Sequence, residues 1–315
     1  MRCTTRATVR VSRLLLVISL LTVSATSVAS GQDGTIGLSM HFMRDDYAVR
    51  LAETIRSVAE EHPGARVIVT DANQTAAKQL ADVENLVVQG VDALIIVPID
   101  EKAILPGIRK ANAQGIPVIA ITRIPGAGVL TTIATNGDYA NGKASGELLR
   151  EATGGSGKIA MIGIAYNLWR IDERERGFDD AIAGSDLEIV ARQAGDDQAR
   201  TQDVVAGILV AHPDLAGIWC TFSNQVVGAA DALRMAGRKD VALTGIDADK
   251  AIIERIRSGW VTGTAAQFPR VQGRLAAEAA FRHLQGQPVK ESYEVPVGLV
   301  TPENADAMNE EIWGE

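Results

Sequence analysis

Short apolar runs of four to eight residues alternate along this chain with stretches whose apolar residues recur at helical spacing. The runs are TIGLSM at 35–40, RVIVT at 66–70, ALIIV at 93–97, PVIAI at 117–121 and TTIAT at 131–135. They continue with KIAMIGI at 158–164, EIVARQ at 188–193, AGIWC at 216–220, VALTGI at 241–246 and VTGTAAQ at 261–267. Their length and the turn residues that bound them predict strands. Between them Leu80, Val83 and Val87 mark one helix face, Ile208 and Leu209 a second, and Ala230, Leu233 and Met235 a third. Gly, Pro or His-Pro breakers follow each face. Strands alternating with helices predict βαβ units and a parallel sheet, and the near-continuous apolarity of the runs says that both sheet faces are covered. The fold class is therefore α/β.

A second regularity bears on function. Nearly every run ends in a polar or charged cluster: His41 to Asp46, Asp71-Ala72-Asn73-Gln74, Asp100-Glu101, Thr122-Arg123 and Asn136-Gly137-Asp138 in the first half. The second half repeats this at Asn167 to Arg174, Asp196-Asp197, Phe222-Ser223-Asn224, Asp247-Ala248-Asp249 and Gln267. Ligands of open α/β sheets bind beyond the carboxyl ends of the strands. Any one such cluster is an ordinary polar loop, but their succession points to a cleft lined by two sheets.

The first 29 residues read as an export signal. Arg2, Arg6, Arg10 and Arg13 precede an apolar run from Leu14 to Val23, and Ser27-Val28-Ala29 offers a small-residue cleavage site. The run is shorter than the roughly 20 apolar residues a membrane span needs. No Cys follows it to carry a lipid. About 285 residues would remain, a length that favours two domains. Losing four arginines and no acid takes the formal net charge from -8 to -12. A chain that acidic, without a basic cluster, is a poor partner for nucleic acid. Cys220 would be the sole remaining thiol, and its apolar setting predicts a packing residue.

Catalytic signatures are missing. Gly154-Gly155-Ser156-Gly157-Lys158 has Ala152 and Ile159 where a phosphate loop needs Gly and Ser or Thr, and it precedes a strand, so it reads as a helix-ending turn. There is no dinucleotide fingerprint and no nucleophile elbow. The histidines at 41, 62, 212 and 283 lack metal-ligand spacing, and only His41 closes a strand run. No metal or cofactor is expected. Paired carboxylates for glycoside hydrolysis stay open as an alternative, with Asp45 and Asp247 as acid and base.

With those residues in view, the chain resembles the periplasmic sugar-binding proteins of ABC transporters, of the ribose-binding type. The resemblance runs from Thr35 to about Thr301 through AAKQLADVENLVVQGVDALIIVPID (76–100), IPVIAITR (116–123), RERGFDDAI (174–182), VVGAADAL (226–233), LTGIDAD (243–249) and GTAAQFP (263–269). It implies two similar doubly wound parallel-sheet domains joined by a three-segment hinge. One lobe would span 33–135 plus 268–297 and the other 136–267 plus 298–315. It also implies a monomer in the periplasm that binds a small sugar between its lobes and serves a membrane permease, or a receptor that senses the bound sugar.

Carried over by position, Asp45 and Tyr47 match residues that contact and stack on sugar. Arg123 and Arg174 match arginines that hold hydroxyls, Asp247 a carboxylate that grips two hydroxyls, and Gln267 a hinge amide. His41, Thr122, Trp169 and Phe222 complete the expected site. Other roles compete: Asp45 is also a candidate N-cap, Tyr47 a candidate core residue, and Trp169 either stacks on ligand or packs in a loop. The run RIDERERG at 170–177 would by itself be a solvated helix face. Thr122, Phe222, Ala48 and Val97 stand where the ribose-binding type has Asp, Asn, Phe and Asn. Two arginines against two aspartates suggest a neutral ligand. A Phe222 wall penalises an unpaired hydroxyl, which suggests a deoxysugar or short polyol rather than ribose.

Overall fold

The computed structural model describes residues 1, 34–122, 124, 128–135, 137–165 and 169–314. The segment read as an export signal, apart from Met1, and Arg123 lie outside the described residues. Six strands, β1 (Thr35–Met40), β2 (Arg66–Asp71), β3 (Ala93–Ile96), β4 (Val118–Ile121), β5 (Thr131–Thr135) and β11 (Ser292–Val295), make one sheet in the order β11-β5-β4-β3-β1-β2. Six more, β6 (Ser156–Gly163), β7 (Asp186–Ala194), β8 (Leu215–Cys220), β9 (Ala242–Ile246), β10 (Gly263–Ala266) and β12 (Gly298–Val300), make a second in the order β12-β10-β9-β8-β6-β7. The first sheet carries α1 (Asp46–Glu60), α2 (Ala76–Val88), α3 (Leu105–Ala113) and α9 (Pro269–Leu284). The second carries α4 (Gly137–Ala152), α5 (Trp169–Ile182), α6 (Gln198–Ala211), α7 (Ser223–Ala236) and α8 (Lys250–Arg257), and α10 (Ala305–Trp313) touches both α8 and α9. Both lobes thus repeat one doubly wound order, with the switch point beside their first and third strands.

The apolar runs form strands because both faces are covered. Along β3, Ala93 and Ile95 enter one core cluster while Leu94 and Ile96 enter the other. Along β8, Ile218 and Cys220 face one way and Trp219 the other, stacked on Phe178. Each Leu or Ile among them contributes about 1.5–3 kcal/mol on burial. Cys220 is fully buried, and burial pushes its thiol pKa up, so it packs as expected.

Three features differ from the pattern. β11 and β12 escape it because they are short edge strands with exposed positions on them, so they lack the doubly apolar signature. Met235 is 72% exposed, since a residue two beyond the buried Leu233 lies roughly 200° round the helix. β12 is antiparallel to β10 although β11 is parallel to β5. The chain passes directly from β11 into β12, entering the second sheet at the edge where the other strands end. It also crosses between β5 and α4 and between β10 and α9. The glycine-rich turn does end a helix: Gly154 and Gly155 take φ of 66° and 72°, and β6 begins at Ser156.

α4 and α5 touch backbone to backbone. A Cβ on Gly142 would collide with the Arg174 carbonyl, and one on Gly177 with the Tyr139 carbonyl. This close crossing brings Asp138 of α4 against Arg174 of α5.

Candidate functional site

Strand ends of the two lobes meet at a cleft walled by Asp45 and Tyr47 on one side and by Ser223, Asp247 and Asp249 on the other, with Gln267 between. The lobes' repeated order puts Thr122 after β4 and Asp247 after β9 at equivalent places. Both take left-handed backbone, φ 104° and 80°, and each donates its N–H to the next strand, at Ile133 O (3.2 Å) and Ala265 O (2.8 Å). Such geometry costs about 1–3 kcal/mol per non-glycine residue and persists where surrounding structure enforces it. It turns the chain sharply at the strand end, so that Asp247 faces the cleft.

Asp45 fills both roles open to it. Its Oδ1 accepts Ala48 N–H at 2.7 Å as the N-cap of α1, and the residue also lines the cleft. Tyr47 is half-buried against the core and donates its hydroxyl to Gln272 Oε1 on α9 while its ring borders the cleft. Asp247 Oδ2 accepts Ser223 N–H (3.2 Å) and Oδ1 accepts the Gln267 amide at 2.6 Å. A carboxylate offers about four lone-pair sites, so acceptor capacity remains for hydroxyls.

The other expected residues are placed differently. His41 is buried beside β1, edge-on to Phe42. Thr122 is half-buried, and Phe222 is the N-cap residue of α7 without a side-chain cap bond. Trp169 opens α5, and its side chain, like Arg123, lies outside the description. Arg174 is only 4% exposed and does not line the cleft: Nε donates to Asp138 Oδ1 at 2.7 Å and Nη1 to Thr221 O at 2.8 Å. A grip on sugar from Arg174 would rest on the N–H groups of Nη1 and Nη2 that these two bonds leave. With Arg174 engaged by Asp138, and with Asp46 and Asp249 on the cleft wall, the count of two arginines against two aspartates does not describe this site.

Asp249, Ser223 and Trp313 were not singled out from sequence. The first two belong to polar clusters at strand ends, a signal that was available. Asp249 caps α8 by accepting Ile252 N–H at 3.0 Å. Burial holds its carboxyl pKa above the ordinary range, with Asp247 and Asp46 adding to the rise and bonds from Ile252 N–H and the Ser223 hydroxyl opposing it. The folded state therefore keeps this proton at pH values where the unfolded chain has lost it. Stability should fall as pH rises from about 4, the ordinary carboxylate value, through the raised folded value. Asp249→Asn keeps an acceptor for the cap and removes the charge. It is expected to be more stable than wild type at pH 7, with the advantage vanishing below about pH 4 in thermal melts. No difference between the two at pH 7 would contradict the assigned burial.

Among the described residues no three His, Cys, Asp or Glu side chains are placed to hold a metal ion, and no helix is long and apolar enough to cross a membrane. Comparison with known proteins gives a family match, described as a periplasmic binding protein domain, over residues 36–288. The ribose import binding protein of Bacillus subtilis is 32% identical over 268 residues, covering 85% of this chain and 87% of that protein. A periplasmic solute-binding protein of an ABC transporter from Actinobacillus succinogenes, solved with bound D-allose, is 26% identical with a TM-score of 0.80, covering 87% of this chain and 99% of that one. A solute-binding protein of an ABC transporter from Mycobacterium smegmatis, solved with bound glycerol, is 28% identical with a TM-score of 0.77, covering 87% and 96%.

Proposed function

The chain belongs to the periplasmic binding protein family, and on that premise we propose that it captures a small neutral sugar or polyol in the interlobe cleft and delivers it to the permease of an ABC importer. Export through the N-terminal segment would place it in the periplasm, where it acts as a monomer. The observation that carries the reading is the Asp247 carboxylate, held by Ser223 and Gln267 and facing Asp45 across the cleft. The wall is rich in acceptors, whereas the Tyr47 hydroxyl, the Gln267 amide and the Ser223 N–H already donate within the protein. A ligand must then bring donors, and vicinal hydroxyls do so in pairs. D-Allose and glycerol, bound in two similar structures, are of this class. By their positions in the family pattern, Thr122 and Phe222 would favour a deoxysugar or short polyol over ribose.

A thermal-shift screen of D-ribose, D-allose, 6-deoxyhexoses, xylitol and glycerol tests this, because a ligand of the folded state raises the melting temperature. At least one deoxysugar or polyol should stabilise the protein and should bind unchanged, without turnover. Saturation with it should reduce the radius of gyration in solution scattering, as the lobes close about the three crossovers. No response to any of these solutes, or an unchanged radius at saturation, would count against the reading.

A further inference from the structure

We propose that Trp313 of α10 is a positioning residue for the ligand site, acting through the Asp247–Asp249 turn. This rests on the cleft being the sugar site. The Trp313 indole is 4% exposed and donates Nε1–H to the Ala248 carbonyl at 2.8 Å. Ala248 lies between Asp247, whose left-handed backbone aims its carboxylate at the cleft, and Asp249, which caps α8. The Ala248 carbonyl lies in the peptide plane that joins Ala248 to Asp249, so holding it fixes that plane one residue on from Asp247 and restricts the turn that carries the Asp247 side chain.

α10 is itself held from both sides. At its first turn Arg257 of α8 pairs with Asp306 (Nε to Oδ1, 2.8 Å). At its last turn Arg270 of α9 donates Nη1 to the Glu310 carbonyl at 3.1 Å, beside the left-handed Gly314 that ends the helix. α8 belongs to the second lobe and α9 packs on the first sheet, so the helix bracing the Asp247 turn is anchored on both lobes. Trp313 also borders the cleft together with Pro269, the first residue of α9. Lobe closure and the aim of the Asp247 carboxylate are thereby linked through one helix.

The test is a double-mutant cycle read by calorimetry, with whichever of D-ribose, D-allose, xylitol and glycerol binds wild type most tightly. Trp313→Phe keeps an aromatic plug and removes the bond to Ala248. It should weaken binding about 5–20-fold, the worth of one buried hydrogen bond. In an Asp247→Asn background the same change should cost less than about 2-fold, because Trp313 acts through the residue already altered. A surface variant, Arg257→Gln with Arg270→Gln, loosens α10 without touching the core and should weaken binding about 2–5-fold. Trp313→Phe within 2-fold of wild type, losses that multiply in the double variant, or a surface variant at wild-type affinity would each overturn the proposal. Should wild type bind none of the four probes, the sugar-site reading fails first, which separates the two failures.

Discussion

Arg174→Ala is expected to lower the free energy of unfolding by about 3–5 kcal/mol, the cost of breaking a buried ion pair from one side. Arg174 and Asp138 are 4% and 6% exposed, and their 2.7 Å contact lies at the close crossing of α4 and α5. The variant leaves a carboxylate in that crossing and also strips Nη1 from the Thr221 carbonyl at the end of β8. Urea or thermal denaturation measures it, and at about 2–4 °C per kcal/mol the melting temperature should drop by roughly 10 °C. Arg176→Ala, two residues on, removes an exposed pair with Glu173 and should cost under about 1 kcal/mol. Arg174→Met combined with Asp138→Leu should recover most of the loss, since the pair matters mainly when half of it is left. A single Arg174→Ala variant within about 1 kcal/mol of wild type would contradict this account.

Asp247→Ala should weaken ligand binding by about 2–5 kcal/mol in calorimetry, the scale for truncating one side of a desolvated charged contact. Two effects combine in it. The carboxylate that accepts hydroxyls is gone, and alanine must occupy φ 80°, a region that Asn and Asp tolerate better. Asp247→Asn separates them. It tolerates the backbone and keeps one acceptor, but its amide nitrogen cannot accept, so one of the Gln267 amide and the Ser223 N–H loses its partner. Losing the charge alone should cost about 1.5–3 kcal/mol, or roughly 10–150-fold in affinity. Both variants at wild-type affinity would mean that the site lies elsewhere.

Sequence reading reached the site unevenly, for a physical reason. Asp45, Tyr47, Asp247 and Gln267 converge on the cleft because each follows closely on a strand, and the carboxyl ends of parallel strands share one edge. Asp249 and Ser223 lie beside flagged residues for the same reason. Arg174 was legible by position but not by role, since its partner Asp138 is 36 residues away on another helix. Nothing near Trp313 announces the site, because the carbonyl it holds is 65 residues back along the chain.

What the sequence alone determined is whatever depends on local period and burial. The ten apolar runs became strands, the inner ones covered on both faces and β2 and β7 at the sheet edges, Cys220 became core, and the glycine-rich turn ended its helix. The tertiary structure alone decided which strands share a sheet, where β11 and β12 add their edges, and which charges neutralise each other. It also decided that α10 braces the Asp247 turn. Those outcomes depend on contacts between segments far apart in the chain, where no periodicity connects the residues that meet.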